Sequence, residues 1–91
     1  MLYLISYDVS DDDRRRRAFE ALKDFGRHVQ YSVFECNLDA TALQELLDRI
    51  DIEIDRETDS CRIYRLCEGC AGEVRIIGKG DRYQEPGFVV V

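Results

Sequence analysis

The chain has 91 residues, with 13 Lys+Arg against 19 Asp+Glu, a formal net charge of −6 and a pI near 4.7. That length is one domain, and its 45% apolar content excludes a disordered chain, although a domain this small gains from burying further surface in an oligomer. No apolar run approaches the ~20 residues of a membrane span, and Asp8 interrupts the N-terminal apolar stretch before it could act as a signal peptide. The expectation is a cytoplasmic protein with no membrane partner, whose four cysteines are thiols.

Leu2 to Tyr7 is short, apolar and aromatic, and reads as a strand that stops at Asp8. Ser10 reads as a helix N-cap, with Asp11, Asp12 and Asp13 in the first turn where the macrodipole favours acids. Ala18, Ala21, Leu22 and Phe25 form one apolar stripe, and Gly26 is placed at C′ after the helix. His28 to Leu38 is extended, as one bent strand or two short ones. Thr41 and Gln44 form a capping-box pattern ahead of a second helix with Leu43, Leu46, Leu47 and Ile50 on one face. Asp51 to Asp59 reads as a solvated acidic connection and Cys61 to Leu66 as a strand. A turn over Cys67 to Gly72 and a strand over Glu73 to Ile77 follow. Strand, helix, strands, helix, strand points to an α+β sandwich of ferredoxin-like βαββαβ type over residues 1–66. The terminal Phe88-Val89-Val90-Val91 run adds a β-prone segment that pairing with another subunit would cover.

Taken whole, the charge argues against nucleic acid as a partner. Its distribution argues otherwise. Asp39 to Asp59 holds eight acids and two bases, so the rest of the chain is neutral, with 11 of each. Arg14 to Arg17 stand in a row, and guanidinium is suited to bidentate phosphate contacts. Successive residues step about 100° around a helix, so the four sweep roughly 300° and do not all face one ligand. The acidic segment is expected to point away from this row. Each of Asp11, Asp12 and Asp13 also has an Arg four residues on, which gives a surface ladder worth about 0.3–0.5 kcal/mol per pair.

Asp8 is the carboxylate that helix capping does not explain. It sits at a strand end, where an oxygen ligand for Mg²⁺ beside arginines would suit phosphodiester chemistry. One carboxylate is a thin metal site, and a two-fold dimer would bring two copies of Asp8 together. Cys67-Glu68-Gly69-Cys70 is a CxxC without the second ligand pair that a zinc site needs, and it reads as a turn with structural thiols. His28, the single histidine, is read as a strand residue that could also touch phosphate.

Tyr7-Asp8-Val9-Ser10-Asp11-Asp12, then Arg15, Arg17 and Gly26, then Val29-Gln30-Tyr31-Ser32-Val33-Phe34-Glu35, resemble the Cas-two family of CRISPR-associated proteins. Asp59-Ser60-Cys61-Arg62-Ile63-Tyr64 continues the likeness, which runs from Met1 to about Leu66. The cysteine turn followed by Gly78-Lys79-Gly80 is similar to a variant tail within the family. The resemblance implies a ferredoxin-like homodimer with an extra C-terminal strand across the interface, supplied by residues 67–91. It implies a role in CRISPR adaptation, antiviral spacer acquisition in which the dimer binds duplex DNA and bridges subunits of the Cas-one integrase. It also implies a Mg²⁺-dependent endonuclease acting on RNA or DNA, with Asp8 as catalytic and metal-binding residue shared between two subunits. Tyr7, Arg15, Arg17 and Phe34 follow as nucleic-acid-binding candidates. Many relatives place Arg where this chain has His28, and the adjacent Arg27 is the substitute candidate. The competing reading is a non-catalytic DNA-binding scaffold.

Overall fold

A computed structural model describes residues 1–67 together with Gly69, Arg75 and Ile77. The elements are β1 (Leu2–Asp8), α1 (Asp12–Lys23), β2 (Arg27–Gln30), β3 (Val33–Asn37), α2 (Ala40–Glu53) and β4 (Ser60–Leu66). The strands form one antiparallel sheet in the order β2-β3-β1-β4, which is the expected ferredoxin-like arrangement. Residues 28–38 are therefore two strands. They turn at Tyr31 and Ser32, with a register shift between His28 and Gln30. The expected turn at Cys67–Gly72, the strand at Glu73–Ile77 and the terminal Phe88–Val91 run lie outside the described residues, apart from Cys67, Gly69, Arg75 and Ile77.

Alternation along β1 sets the two faces of the sheet. Tyr3, Ile5 and Tyr7 face the helices. Leu4, Ser6 and Asp8 face the other way, opposite Glu35 and Tyr64, Val33 and Arg62, and Ser60 respectively. The core lies between sheet and helices: Ile5, Tyr7, Phe34 and Cys36 pack against Ala18, Ala21 and Leu22 of α1 and Leu46 and Ile50 of α2. Burial pushes the Cys36 and Cys61 thiols up to about 11, so both are neutral packing groups at ordinary pH.

The helix starts differ from expectation by one or two residues, for a definite reason. Asp11, rather than Ser10, caps α1, its Oδ2 accepting from the Arg14 N–H at 2.9 Å. Asp39, rather than Thr41, caps α2, accepting from the Ala42 N–H at 2.7 Å. A carboxylate at the turn out of a strand both caps the first free N–H groups and meets the positive end of the macrodipole. Thr41 and Gln44 are thus inside α2, and Gln44 donates to Asp48. Gly26 is not the C′ residue either, since the C-cap is Asp24 and Gly26 stands two residues beyond it. Its backbone lies outside the left-handed region, and glycine is required because an added Cβ would stand 2.3 Å from Cys36 Sγ and 2.5 Å from the Glu35 carbonyl oxygen.

Candidate functional site

Helical phase divides the arginine row. Arg14 and Arg17, three residues apart, face the α2 side. Arg14 Nε donates to Asp59 Oδ2 at 3.0 Å, and Arg17 Nε donates to Glu53 Oε2 at 2.8 Å. The expectation that the acidic segment points away from the row is therefore overturned. Two of its acids neutralise two of the arginines, joined by side chains 45 and 36 residues apart in sequence. The i,i+4 ladder is also replaced. Arg15 pairs with Asp12 and Arg16 with Asp13, at i,i+3, while Asp11 is occupied as the cap.

Arg15 and Arg16 face the opposite flank of α1, toward the β2–β3 hairpin. With Tyr7, Phe19, Tyr31 and Ser32 they line an open cavity of about 390 Å³. Arg15 Nη1 donates to the Val9 carbonyl at 3.2 Å, which lays the guanidinium across the end of β1. The Tyr7 N–H donates to the Ser32 carbonyl at 3.0 Å, tying the hairpin tip to the same strand end. The Tyr7 ring is buried, and that burial pushes its hydroxyl pKa upward against the opposing pull of Arg15.

Asp59 was expected in a solvated connection and is instead buried, at 8% exposure. Its carboxylate accepts from Arg14 Nε and Nη2, Ser10 N–H and hydroxyl, the Asp55 N–H and the Thr58 hydroxyl, at 2.9 to 3.3 Å. The Arg14 hydrogen bond, followed by the Asp55 N–H, holds its pKa well below the usual carboxylate range. This charged knot locks Ser10, and hence the loop that leaves Asp8, to the start of β4. The signal available in the sequence was the polar cluster Thr58-Asp59-Ser60 immediately before a strand.

Asp8 ends β1 on the face away from the helices, exposed and opposite Ser60. Its carboxylate makes no hydrogen bond or ion pair with another described residue, and no group of three His, Cys, Asp or Glu able to hold a metal occurs among the described residues. Among the described residues, Asp8 therefore stands as a single carboxylate. An exposed carboxylate is a donor that fits Mg²⁺, which takes one or two carboxylates and keeps several waters.

The other expected residues are dispersed. His28 lies on β2 at the rim of the core, its ring 5.0 Å from both Phe19 and Phe34. Arg27 is on the opposite face, across from Glu35. Phe34 has no exposed surface and sits among Tyr7, Phe19 and His28, so it packs beneath the cavity and cannot touch a ligand. Arg17 is held on the far flank by Glu53. Tyr7 and Arg15 are the two candidates that line the cavity, with Phe34 and His28 in ring contact behind Tyr7. Arg16, Phe19, Tyr31 and Ser32 complete the cavity without having been singled out. Helical spacing was the usable signal, since Arg15 and Arg16 lie four and three residues before Phe19.

The family model described as CRISPR associated protein Cas2 matches residues 1–74. The chain belongs to the Cas2 family. A CRISPR-associated endoribonuclease Cas2 of Chloroflexus aurantiacus is 46% identical over 81 residues, covering 88% of this chain and 87% of that one. A CRISPR-associated endonuclease Cas2 of Thermus thermophilus is 42% identical over 79 residues, covering 87% and 83%. The crystal structure of Streptococcus pyogenes Cas2 at pH 6.5 superposes with a TM-score of 0.77 at 32% identity, covering 86% of this chain and all of that one. Among the described residues of this Cas2 chain, no helix is long and apolar enough to cross a membrane.

Proposed function

We propose that this Cas2 chain is a metal-dependent endonuclease that hydrolyses phosphodiester bonds of RNA or DNA at a site formed by two copies of Asp8. The observation that carries the reading is Asp8 itself, an exposed carboxylate without a described partner at a strand end, on a loop that Asp59 immobilises from the other side. Relatives named endoribonuclease and endonuclease over most of the chain support the reaction class. Bound Mg²⁺ would supply an activated water and neutralise phosphate charge. This chain's own part is to present Asp8 to the metal and to hold Ser10 and the loop rigid.

The homodimer that pairs Asp8 would use the open sheet face. Leu4, Val33 and Leu66 are only partly covered there, and Tyr64 is 46% exposed. Among the described residues β4 is an edge strand, which suits addition of the Phe88–Val91 segment from a second copy. Such a dimer is the form in which the protein would bind duplex DNA and bridge Cas-one integrase subunits in spacer acquisition. A scaffold without catalysis is the second reading. It is favoured by the alternation of β1, which puts the Tyr7–Arg15 cavity and Asp8 on opposite faces, so a phosphate held by Arg15 is not delivered to Asp8 of the same chain.

The deciding experiment is a nuclease assay on single-stranded RNA and duplex DNA with Mg²⁺ or chelator, comparing wild type with Asp8→Asn. An exposed side chain can be changed without unfolding the protein, so activity should drop by about 10²-fold or more in the variant and vanish with chelator. Cleavage that persists in either case removes the enzyme reading. Duplex binding that remains intact in the same variant then leaves the scaffold.

A further inference from the structure

Tyr31 is the one described non-glycine residue at positive φ, 30°, a region that costs a residue carrying a Cβ. It is also 85% exposed, so its ring gains almost nothing from burial. Neither backbone preference nor packing accounts for tyrosine at the tip of this hairpin. His28 Nε2 donates to the Tyr31 carbonyl oxygen, and the Ser32 carbonyl accepts from Tyr7, so the tip is held in this shape from both sides. Tyr31 lines the same cavity as Arg15 and Arg16. Their ion pairs are exposed i,i+3 pairs, which a phosphate can displace, and Arg15 in addition donates to the Val9 carbonyl, which fixes its guanidinium at the end of β1.

We infer that this cavity binds one unpaired nucleotide, with its base stacked on Tyr31 and its phosphate between Arg15 and Arg16. An aromatic face stacks on any base without reading its sequence, and guanidinium meets phosphate in bidentate fashion. A base inside a duplex has both faces covered by its neighbours, so the Tyr31 contact is available to single strands or to extruded bases only. The cavity volume, about 390 Å³, lies within the range of small-molecule sites, so one nucleotide is its natural occupant. The inference rests on the nucleic-acid reading above and names the form of nucleic acid that this part of the protein selects.

The test is equilibrium binding of the full chain to labelled single-stranded RNA, single-stranded DNA and duplex DNA of equal length at one salt concentration. Wild type is compared with Tyr31→Ala, Tyr31→Phe and Arg16→Gln. Tyr31→Ala should weaken binding of a single strand by about 5- to 150-fold, the equivalent of one lost base stack, with Tyr31→Phe close to wild type. Duplex binding should change by less than about twofold in Tyr31→Ala, because phosphate contacts carry it. Arg16→Gln should weaken all three and reduce the salt dependence by about one ion. Loss confined to RNA or shared with single-stranded DNA supports the stack equally, and the RNA-only pattern adds a contact to the 2′-hydroxyl. An unchanged affinity in Tyr31→Ala, or an equal loss on duplex and single strand, overturns the clamp. Wild-type protein that binds none of the three removes the nucleic-acid reading itself, which the wild-type series alone reveals.

Discussion

Phe34 separates packing from ligand contact more sharply than any other position. Its side chain has no exposed surface, and its ring lies 5.0 Å from His28, 5.4 Å from Phe19 and 6.2 Å from Tyr7. Truncating a buried phenylalanine to alanine costs about 3–5 kcal/mol, through lost transfer energy and the cavity left behind. A domain of this length has roughly 5–14 kcal/mol of stability at about 0.05–0.15 kcal/mol per residue, so Phe34→Ala consumes a large share of it. Phe34→Leu is the cleaner perturbation. It keeps most of the apolar volume and removes three ring contacts worth about 0.5–1.5 kcal/mol each, for an expected loss of about 1.5–4.5 kcal/mol. Urea unfolding should show a lower midpoint with an unchanged m value. Nucleic-acid binding by the folded Phe34→Leu variant should stay within about twofold of wild type, because packing variants act through the folded fraction. Stability within about 0.5 kcal/mol of wild type, together with weakened binding, would refute the placement of Phe34 beneath the cavity.

Two further outcomes follow from the same geometry. In Gly26→Ala the new Cβ meets Cys36 Sγ and the Glu35 carbonyl oxygen, so unfolding should report a loss of about 1–3 kcal/mol. Cys36→Ala in the same chain should recover only part of this loss, since the backbone carbonyl remains; a Gly26→Ala variant as stable as wild type contradicts the close approach. Asp59, with its pKa depressed in the fold, contributes stability that is complete above the ordinary carboxylate value near 3.9 and is lost as pH falls through the lower folded value. Denaturant midpoints measured from pH 7 downward should therefore fall more steeply in wild type than in Asp59→Asn, which starts lower and runs flatter. Parallel curves for the two proteins would mean that the Arg14–Asp59 knot is not the acid-sensitive group.

Elements with strong local pattern were readable from the sequence. The apolar stripe Ala18, Ala21, Leu22, Phe25 and the pair Leu46, Ile50 face the core as their spacing requires, and β1 and β4 fall within a residue of their expected ends. The misplaced caps share one cause. Where several hydroxyl and carboxylate residues stand in a row, as in Ser10 to Asp13, any of them can cap, and the choice depends on where the chain leaves the sheet. Ser10 is drawn away by Asp59, 49 residues later, and Asp11 takes the cap. Gly26 illustrates the same gap: its sequence position suits a helix end, while the reason for glycine lies in β3, across the sheet edge. Asp8 was legible because no local role competes for it. Tyr31 was not, because only the backbone geometry of the hairpin shows that the residue is strained and bare.

The net charge of −6 is compatible with the proposed nucleic-acid partner by geometry rather than by total. Four adjacent arginines are chemically equivalent in the sequence, but a helix turning about 100° per residue assigns them to two flanks. On one flank, the segment Asp39–Asp59 supplies Glu53 and Asp59, and these bind Arg17 and Arg14 across the α1–α2 and loop contacts. The buried Asp59 carboxylate keeps Arg14 from phosphate, since breaking that pair strands a charge away from water, while Arg17 is held by the more exposed Glu53. On the other flank, the ion pairs of Arg15 and Arg16 are exposed and intrahelical, and both residues stand beside an aromatic hairpin tip. The acidic segment thus fixes which cations are structural and which remain available. Charge density at the cavity, not the isoelectric point of the chain, sets the attraction for a phosphate within a Debye length of about 8–10 Å.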